Sequence, residues 1–280
     1  LALVLTDITN PFFTVIARGV EDTASQAGMT VIYCNTDESE IEEEKYLQLL
    51  LQKQVDGILL VPACSVSKSV NLIQEQGTPV VVLDRKIPGI EVDSVRGDSE
   101  GGAYQLIYLL LELGHTHIAA LSGPADVSTA EDRVSGYRRA LEEAGSSDNE
   151  LVYFGAFTQA SGFEMAQKAL SQSPRPTALF AANNFIAYGA LKALREAGLD
   201  VPAAISLVAF DDLPEGLVAN PFLTVAAQPA YEMGQMATQL LLKRLRSEDQ
   251  QPCQEIILPT ELIIRSSSGP LERQTEVLDF

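Results

Sequence analysis

The sequence predicts an α/β protein in which parallel sheets carry helices on both faces. Three observations lead there. Short apolar, β-branched runs recur along the chain, as strands buried on both faces require. Amphipathic stretches with helical spacing separate them. Glycine closes most of those stretches, at Gly28, Gly77, Gly114, Gly145 and Gly198, where a left-handed residue ends a helix.

The elements follow in order. Ala2 to Leu5 is a buried strand; a polar break then leads into Asn-Pro-Phe-Phe, in which Asn10 suits a helix cap and Pro11 the first helical position. Phe13, Ile16, Ala17, Val20 and Ala24 make one apolar stripe. Val31 to Tyr33, Gly57 to Val61 and Val80 to Leu83 are the next strands, and the acidic run Asp37 to Glu44 opens a helix as a solvated face. Around Val92 to Asp98 the alternation breaks, and a fresh helix follows Gly101-Gly102. A second series then runs through Ile118 to Leu121, Leu151 to Phe154, Ala178 to Ala181 and Ile205 to Phe210. Its first helix places Tyr137, Ala140, Leu141 and Ala144 on one face, and Ser128 or Thr129 is expected to cap it. Leu223 to Ala227 and Gln254 to Ile264, the latter interrupted by Pro259, are extended.

A (β/α)₈ barrel uses the same units. The break near Val92 and the late extended segments favour two lobes instead. One lobe is expected to hold residues 1–98 and 228–258, the other 99–227 and 259–270, with 271–280 as a tail. The two halves carry a similar β-α succession, as an internal duplication would.

Composition limits the function classes. The chain has 280 residues, with 19 Lys and Arg against 38 Asp and Glu, a net charge of −19. Such a surface is repelled by phosphate backbones, so this segment is not expected to bind nucleic acid by itself. No apolar run reaches the roughly 18–20 residues of a membrane span. The first residues form a strand and show no signal-peptide pattern. Cys34, Cys64 and Cys253 are sparse and odd in number, which fits a reducing compartment and a cytoplasmic location.

Catalytic and cofactor signatures are absent: no G-x-G-x-x-G after a strand, no phosphate-binding G-x-x-x-x-G-K, no G-x-S-x-G. No enzyme activity, cofactor or metal is expected. His115 and His117 have no third ligand in sequence, and adjacent Asp211 and Asp212 point different ways at a strand end.

Polar residues nevertheless collect immediately after strands, where open α/β sheets bind ligands. Asp84 and Arg85 follow one strand, Asn183 another and Asp211 a third; Arg133 lies on early turns of a helix and Phe157 in a loop before one. Asn10 lies beside Phe12 and Phe13, each of which suits either core or cleft. Carboxylates accept from sugar hydroxyls, guanidinium groups donate, amides do both, and aromatic rings cover C–H faces. Together they describe a cleft for a small polar ring.

The chain also resembles the lactose-repressor (LacI) family of bacterial transcription regulators, in the core that follows their DNA-binding headpiece. The resemblance rests on DITNPFF from Asp7, VDGILLVP from Val55, VDSVRGDSEGGAY from Val92, LGHTHIAALSGP from Leu113, STAEDRVSGYRRAL from Ser128, RPTALFAANN from Arg175, ISLVAFDDLP from Ile205 and ELIIRSSSG from Glu261. It covers Leu1 to about Gly269. It implies a fold like type I periplasmic binding proteins: two Rossmann-like lobes, three crossovers, and a ligand between them. Carried over from ribose-binding relatives, the ligand contacts fall on Asn10, Phe12, Phe13, Asp84, Arg85, Arg133, Phe157, Asn183, Asp211 and Gln228. All ten residue types are present, so ribose or a close pentose is the expected effector. Asn184 stands where the family usually has Asp, a residue that supports its neighbour. The resemblance further implies a homodimer, and operator DNA contacted only through a helix-turn-helix headpiece that this segment does not contain. An extracytoplasmic sugar receptor with the same lobes is the alternative; FDDLP, QPAYEMGQMA and IIRSSSG favour the regulator.

Overall fold

A computed structural model describes residues 1–66, 68–213, 220–246 and 252–271. Its strands form two six-stranded sheets. The first contains β1 (Ala2–Leu5), β2 (Ile32–Asn35), β3 (Ile58–Leu60), β4 (Val80–Leu83), β5 (Asp93–Gly97) and β11 (Glu255–Leu258), in the order β11-β5-β4-β3-β1-β2. The second contains β6 (Ile118–Ser122), β7 (Leu151–Phe154), β8 (Ala178–Ala181), β9 (Ser206–Phe210), β10 (Thr224–Ala227) and β12 (Glu261–Ile263), in the order β12-β10-β9-β8-β6-β7. All pairings are parallel except β10 with β12. Among the described residues neither sheet closes into a barrel. The chain passes from one sheet to the other three times: after β5, after β10, and between β11 and β12.

The eight α-helices among the described residues are α1 (Pro11–Gln26), α2 (Glu40–Gln52), α3 (Lys68–Glu75), α4 (Ser99–Glu112), α5 (Ser128–Glu143), α6 (Gln159–Leu170), α7 (Asn184–Glu196) and α8 (Ala230–Arg246). The first sheet packs α1 and α8 on one face and α2 and α3 on the other. The second packs α6 and α7 on one face and α4 and α5 on the other. Both faces are therefore covered, and β1, β4, β6, β8 and β9 are buried along their whole length.

The two lobes repeat each other closely. Strand orders superpose as β5-β4-β3-β1-β2 on β10-β9-β8-β6-β7. Helices α1 and α5 each have 16 residues, and the ninth residue of each is a glycine at a close helix crossing. A Cβ on Gly19 would lie 2.2 Å from the Tyr231 carbonyl oxygen of α8, and one on Gly136 would lie 2.2 Å from that of Glu100 in α4. Gly19→Ala decides between two effects. Alanine favours a helix over glycine by about 1 kcal/mol, but here its methyl meets backbone that cannot rotate away. Overpacking of this kind costs about 1–3 kcal/mol, so a net loss of stability is expected. A denaturant midpoint equal to or above that of the parent would refute this.

Three sequence expectations need correction. Val92 to Asp98 is not a break in the alternation but contains β5, and α4 starts before Gly101. Asp93, buried in β5, is held by Arg244 at 2.5 and 2.8 Å and by the Gln254 amide at 2.8 Å, so a polar strand is satisfied by partners about 150 residues away. Helix α5 begins after Val127 with no side-chain cap. Ser128 instead accepts from the Lys86 amide at 2.9 Å, and its own amide donates to Ser65 Oγ at 2.8 Å. The acidic run also divides. Ser39 caps α2, while Asp37 and Glu38 precede it at φ 51° and 57°. Glu43 is buried, accepting from the Ala63 amide at 2.6 Å and from Ser69. The five glycines expected at helix ends all have positive φ. The expected tail falls, beyond Leu271, outside the described residues.

Candidate functional site

The carboxyl ends of both sheets face one cavity of about 430 Å³, within the roughly 300–1,000 Å³ usual for small-molecule sites. Nine of the ten expected residues line it: Asn10, Phe12, Phe13, Asp84, Arg85, Arg133, Phe157, Asn183 and Asp211. Gln228 stands behind that wall. Its Nε2 donates to Asp211 Oδ1 at 2.7 Å, and it lines an adjoining cavity of about 360 Å³ that shares Phe12 and Asp211.

Asp84 and Asp211 occupy equivalent places, each just after the fourth strand of its lobe. Both have left-handed backbone, φ 64° and 66°, and the amide of each donates to the neighbouring strand, to Val95 and Ala226 respectively. Aspartate tolerates this region better than most residues. Asp84 is buried, and its Oδ1 has no hydrogen-bond partner among the described residues. Burial pushes its pKa up to about 6, with Arg133 and then Arg85 pulling the other way. Burial raises Asp211 as well, opposed by Arg133 and by the bond from Gln228.

Arg133 is buried beside Asp211. Its Nη1 donates to the Ala182 carbonyl at 2.6 Å and lies 4.0 Å from Asp211 Oδ2, and its guanidinium stacks on Phe210 at 3.9 Å. Arg85 is committed differently. Both terminal nitrogens bind Glu38 at 2.7 Å, and Nη1 also reaches the carbonyls of Pro62 and Ala63 at 2.8 Å.

The amides are oriented by helix capping. Asn10 caps α1 by accepting from the Phe12 amide at 3.1 Å, and Asn183 caps α7 by accepting from the Ile186 amide at 2.8 Å. Their oxygens are thereby occupied, which leaves the amino groups as donors. Asn184 Nδ2 donates to Asn10 Oδ1 at 2.9 Å, a bond that joins the two lobes. A second junction between lobes sits at the rim, where Lys86 Nζ meets Asp132 at 2.5 Å beside the Ser65–Ser128 contact.

Phe12 and Phe13 meet edge to face, 5.1 Å between centroids. Both belong to the apolar core of the first lobe and to the cleft wall, so each serves the two roles the sequence left open. Phe157 lies over Gly123, where a Cβ would fall 2.2 Å from the ring. Sequence reasoning missed Asp7, Thr9, Asp37, Glu38, Pro124, Thr129, Ala156 and Thr158, which also line the cleft. Only the positions of Asp7 and Thr9 beside the N-P-F-F stretch, and of Thr129 near Arg133, signalled them. The histidines lie elsewhere. His115 is buried against Thr177 Oγ1 and the Gly269 carbonyl, 3.0 Å from each, and His117 reaches the Pro174 carbonyl at 2.9 Å. No group of three metal-ligating side chains occurs among the described residues.

Residues 1–266 match the model of periplasmic binding proteins and the sugar binding domain of the LacI family. The chain belongs to the LacI family. The HTH-type transcriptional regulator DegA of Bacillus subtilis is 35% identical over 275 residues, covering 97% of this chain and 81% of DegA. The ribose operon repressor of Halalkalibacterium halodurans is 35% identical over 268 residues, 96% of this chain and 79% of that protein. Among solved structures, a LacI-family regulator from Enterococcus faecium with bound ribose has TM-score 0.86 and 31% identity, covering 97% of this chain and 99% of that one. The regulator CelR in complex with cellobiose has TM-score 0.86 and 32% identity, covering 95% and 84%. The LacI-family core described here is thus the effector-binding part of a transcription regulator, and its relatives carry the names of regulators and repressors. None of its described helices is long and apolar enough to cross a membrane.

Proposed function

We propose that this LacI-family core binds a neutral sugar, ribose or a close pentose first, in the cleft between its lobes. Asn10, Phe12, Phe13, Asp84, Arg133, Phe157, Asn183 and Asp211 are the contacts, with Arg85 and Gln228 holding the walls. The observation that carries this reading is the set of unfilled valences in one cavity. Two cap-oriented amides and Arg133 donate, Asp84 and Asp211 accept, and three phenylalanine rings border them. A small ring with hydroxyls on its edge and C–H groups on its faces answers all of these together.

Closure of the two lobes, 1–98 with 228–258 and 99–227 with 259–270, then biases DNA binding by a helix-turn-helix headpiece outside this segment, as a population shift requires. The working form is a cytoplasmic homodimer, because two headpieces read a two-fold operator. Calorimetric titration with ribose, other pentoses and hexoses tests the ligand. Heat with ribose and none with hexoses is expected; no heat with any pentose would reject the pentose assignment. Sedimentation at micromolar concentration tests the assembly, and a monomer alone would reject the dimer.

A further inference from the structure

The cleft is rich in carboxylates. Asp7, Asp37, Glu38, Asp84 and Asp211 line it, against two cations, Arg85 and Arg133. Each arginine faces a carboxylate through its terminal nitrogens, Arg85 at 2.7 Å from Glu38 and Arg133 at 4.0 Å from Asp211, while the Nε of each has no hydrogen-bond partner among the described residues. Arg85 is 2% exposed and forms a bidentate pair with Glu38, with Pro62 and Ala63 carbonyls on the same nitrogen. The buried carboxylate of Glu43 adds to the negative field on it. Arg133 lies 4.0 Å from Asp211, and its charge also acts on Asp84.

Helix N-termini are the other common anion sites, and at each of those that border the cleft one amide is already taken. Asn10 occupies the Phe12 amide of α1, Thr158 the Ser161 amide of α6, and Asn183 the Ile186 amide of α7. At α5 the Ser128 amide is taken by Ser65 from the other lobe. The buried Oδ1 of Asp84, by contrast, has no donor among the described residues. A hydroxyl supplies that donor, whereas a phosphate ester brings acceptors and about −1.5 to −2 charges.

We propose that Glu38 is a specificity residue: by holding Arg85 it makes this cleft accept a neutral polyhydroxyl ligand and reject the phosphate ester of the same ligand. The proposal rests on the sugar-binding reading above, and the test separates the two.

Wild type and Glu38→Gln are titrated by calorimetry with ribose and with ribose 5-phosphate, and their melting temperatures are followed in inorganic phosphate. Glu142→Gln, an equal charge change on the exposed outer part of α5, serves as control. The wild type is expected to bind the ester at least about tenfold more weakly than the sugar, and Glu38→Gln to narrow that ratio about tenfold, a difference of the size of one lost charge interaction. Inorganic phosphate is expected to raise the melting temperature of Glu38→Gln but not of wild type or Glu142→Gln. Equal or tighter binding of the ester by wild type would overturn the proposal, as would an unchanged ratio in Glu38→Gln. If neither pentose nor ester binds, the pentose reading fails and the phosphate measurement decides alone: stabilisation confined to Glu38→Gln supports the role of Glu38, and its absence overturns it. Should Glu38→Gln fold poorly by circular dichroism, Glu38→Ser is measured against the same outcomes.

Discussion

Replacing Arg133 with alanine is expected to lower folding stability by about 3–5 kcal/mol at neutral pH, the usual loss when one partner of a buried charge pair is removed. Three attachments go at once: the bond to the Ala182 carbonyl, the stacking on Phe210, and the opposing charge for Asp211 and Asp84. Among the described residues Asp211 then has no facing cation and Asp84 keeps only Arg85, and burial drives both further towards the neutral form. The sign of the pH dependence follows. Asp84 already has a folded-state pKa of about 6, above its ordinary 3.8. A carboxyl raised on folding contributes stability that is full below its unfolded value and lost as pH rises through its folded value. In the variant both folded values climb, so the loss continues to higher pH. Arg133→Ala is therefore expected to be damaged more at pH 7.5 than at pH 5. Denaturant unfolding at both pH values checks this, and an equal loss at the two would show that packing, not charge, sets the cost.

Asp211→Ala is expected to weaken ribose binding at least about tenfold, given about 1.5–3 kcal/mol for a hydrogen bond to a charged group and 1.4 kcal/mol per factor of ten. Asp211 is held in place from behind by Gln228 at 2.7 Å and faced by Arg133 at 4.0 Å, so little entropy is lost when it receives a hydroxyl. Phe157→Ala is expected to weaken binding too, through lost burial and not lost charge. His117→Ala, bonded to the Pro174 carbonyl outside the cleft, leaves affinity unchanged. Calorimetry on the three variants tests the scheme; wild-type affinity in Asp211→Ala would remove that residue from the site.

Much of this molecule is local in origin and was legible as such. β4, β7 and β8 coincide with the expected runs. For β4 and β8 the signal is burial on both faces, which demands uninterrupted apolar side chains that stop where the chain turns. Asn10 and Asn183 were legible for a related reason, because a cap residue and the helix it starts are neighbours in sequence. Strand β5 was not. Asp93 and Arg96 look like loop residues until Arg244 and Glu255, more than 150 residues on, neutralise them.

The sequence by itself determined most of the lobes' strand-helix units and the residues at the strand ends, which depend on spacing within about 20 residues, where periodicity and capping operate; the family followed from resemblance in motifs spread from Asp7 to Gly269. Only the tertiary structure decided which partners those end residues take. Arg85 appears in sequence as a free donor beside Asp84, yet Glu38, 47 positions earlier, takes it. Asn184 appears as a support for its neighbour, yet it reaches Asn10, 174 positions away in the other lobe. Gln228 appears as a ligand contact, yet it stands behind Asp211. Hydrogen-bond valence is finite, and which partner fills it is settled by what folding brings within about 3 Å, a distance that no sequence spacing encodes.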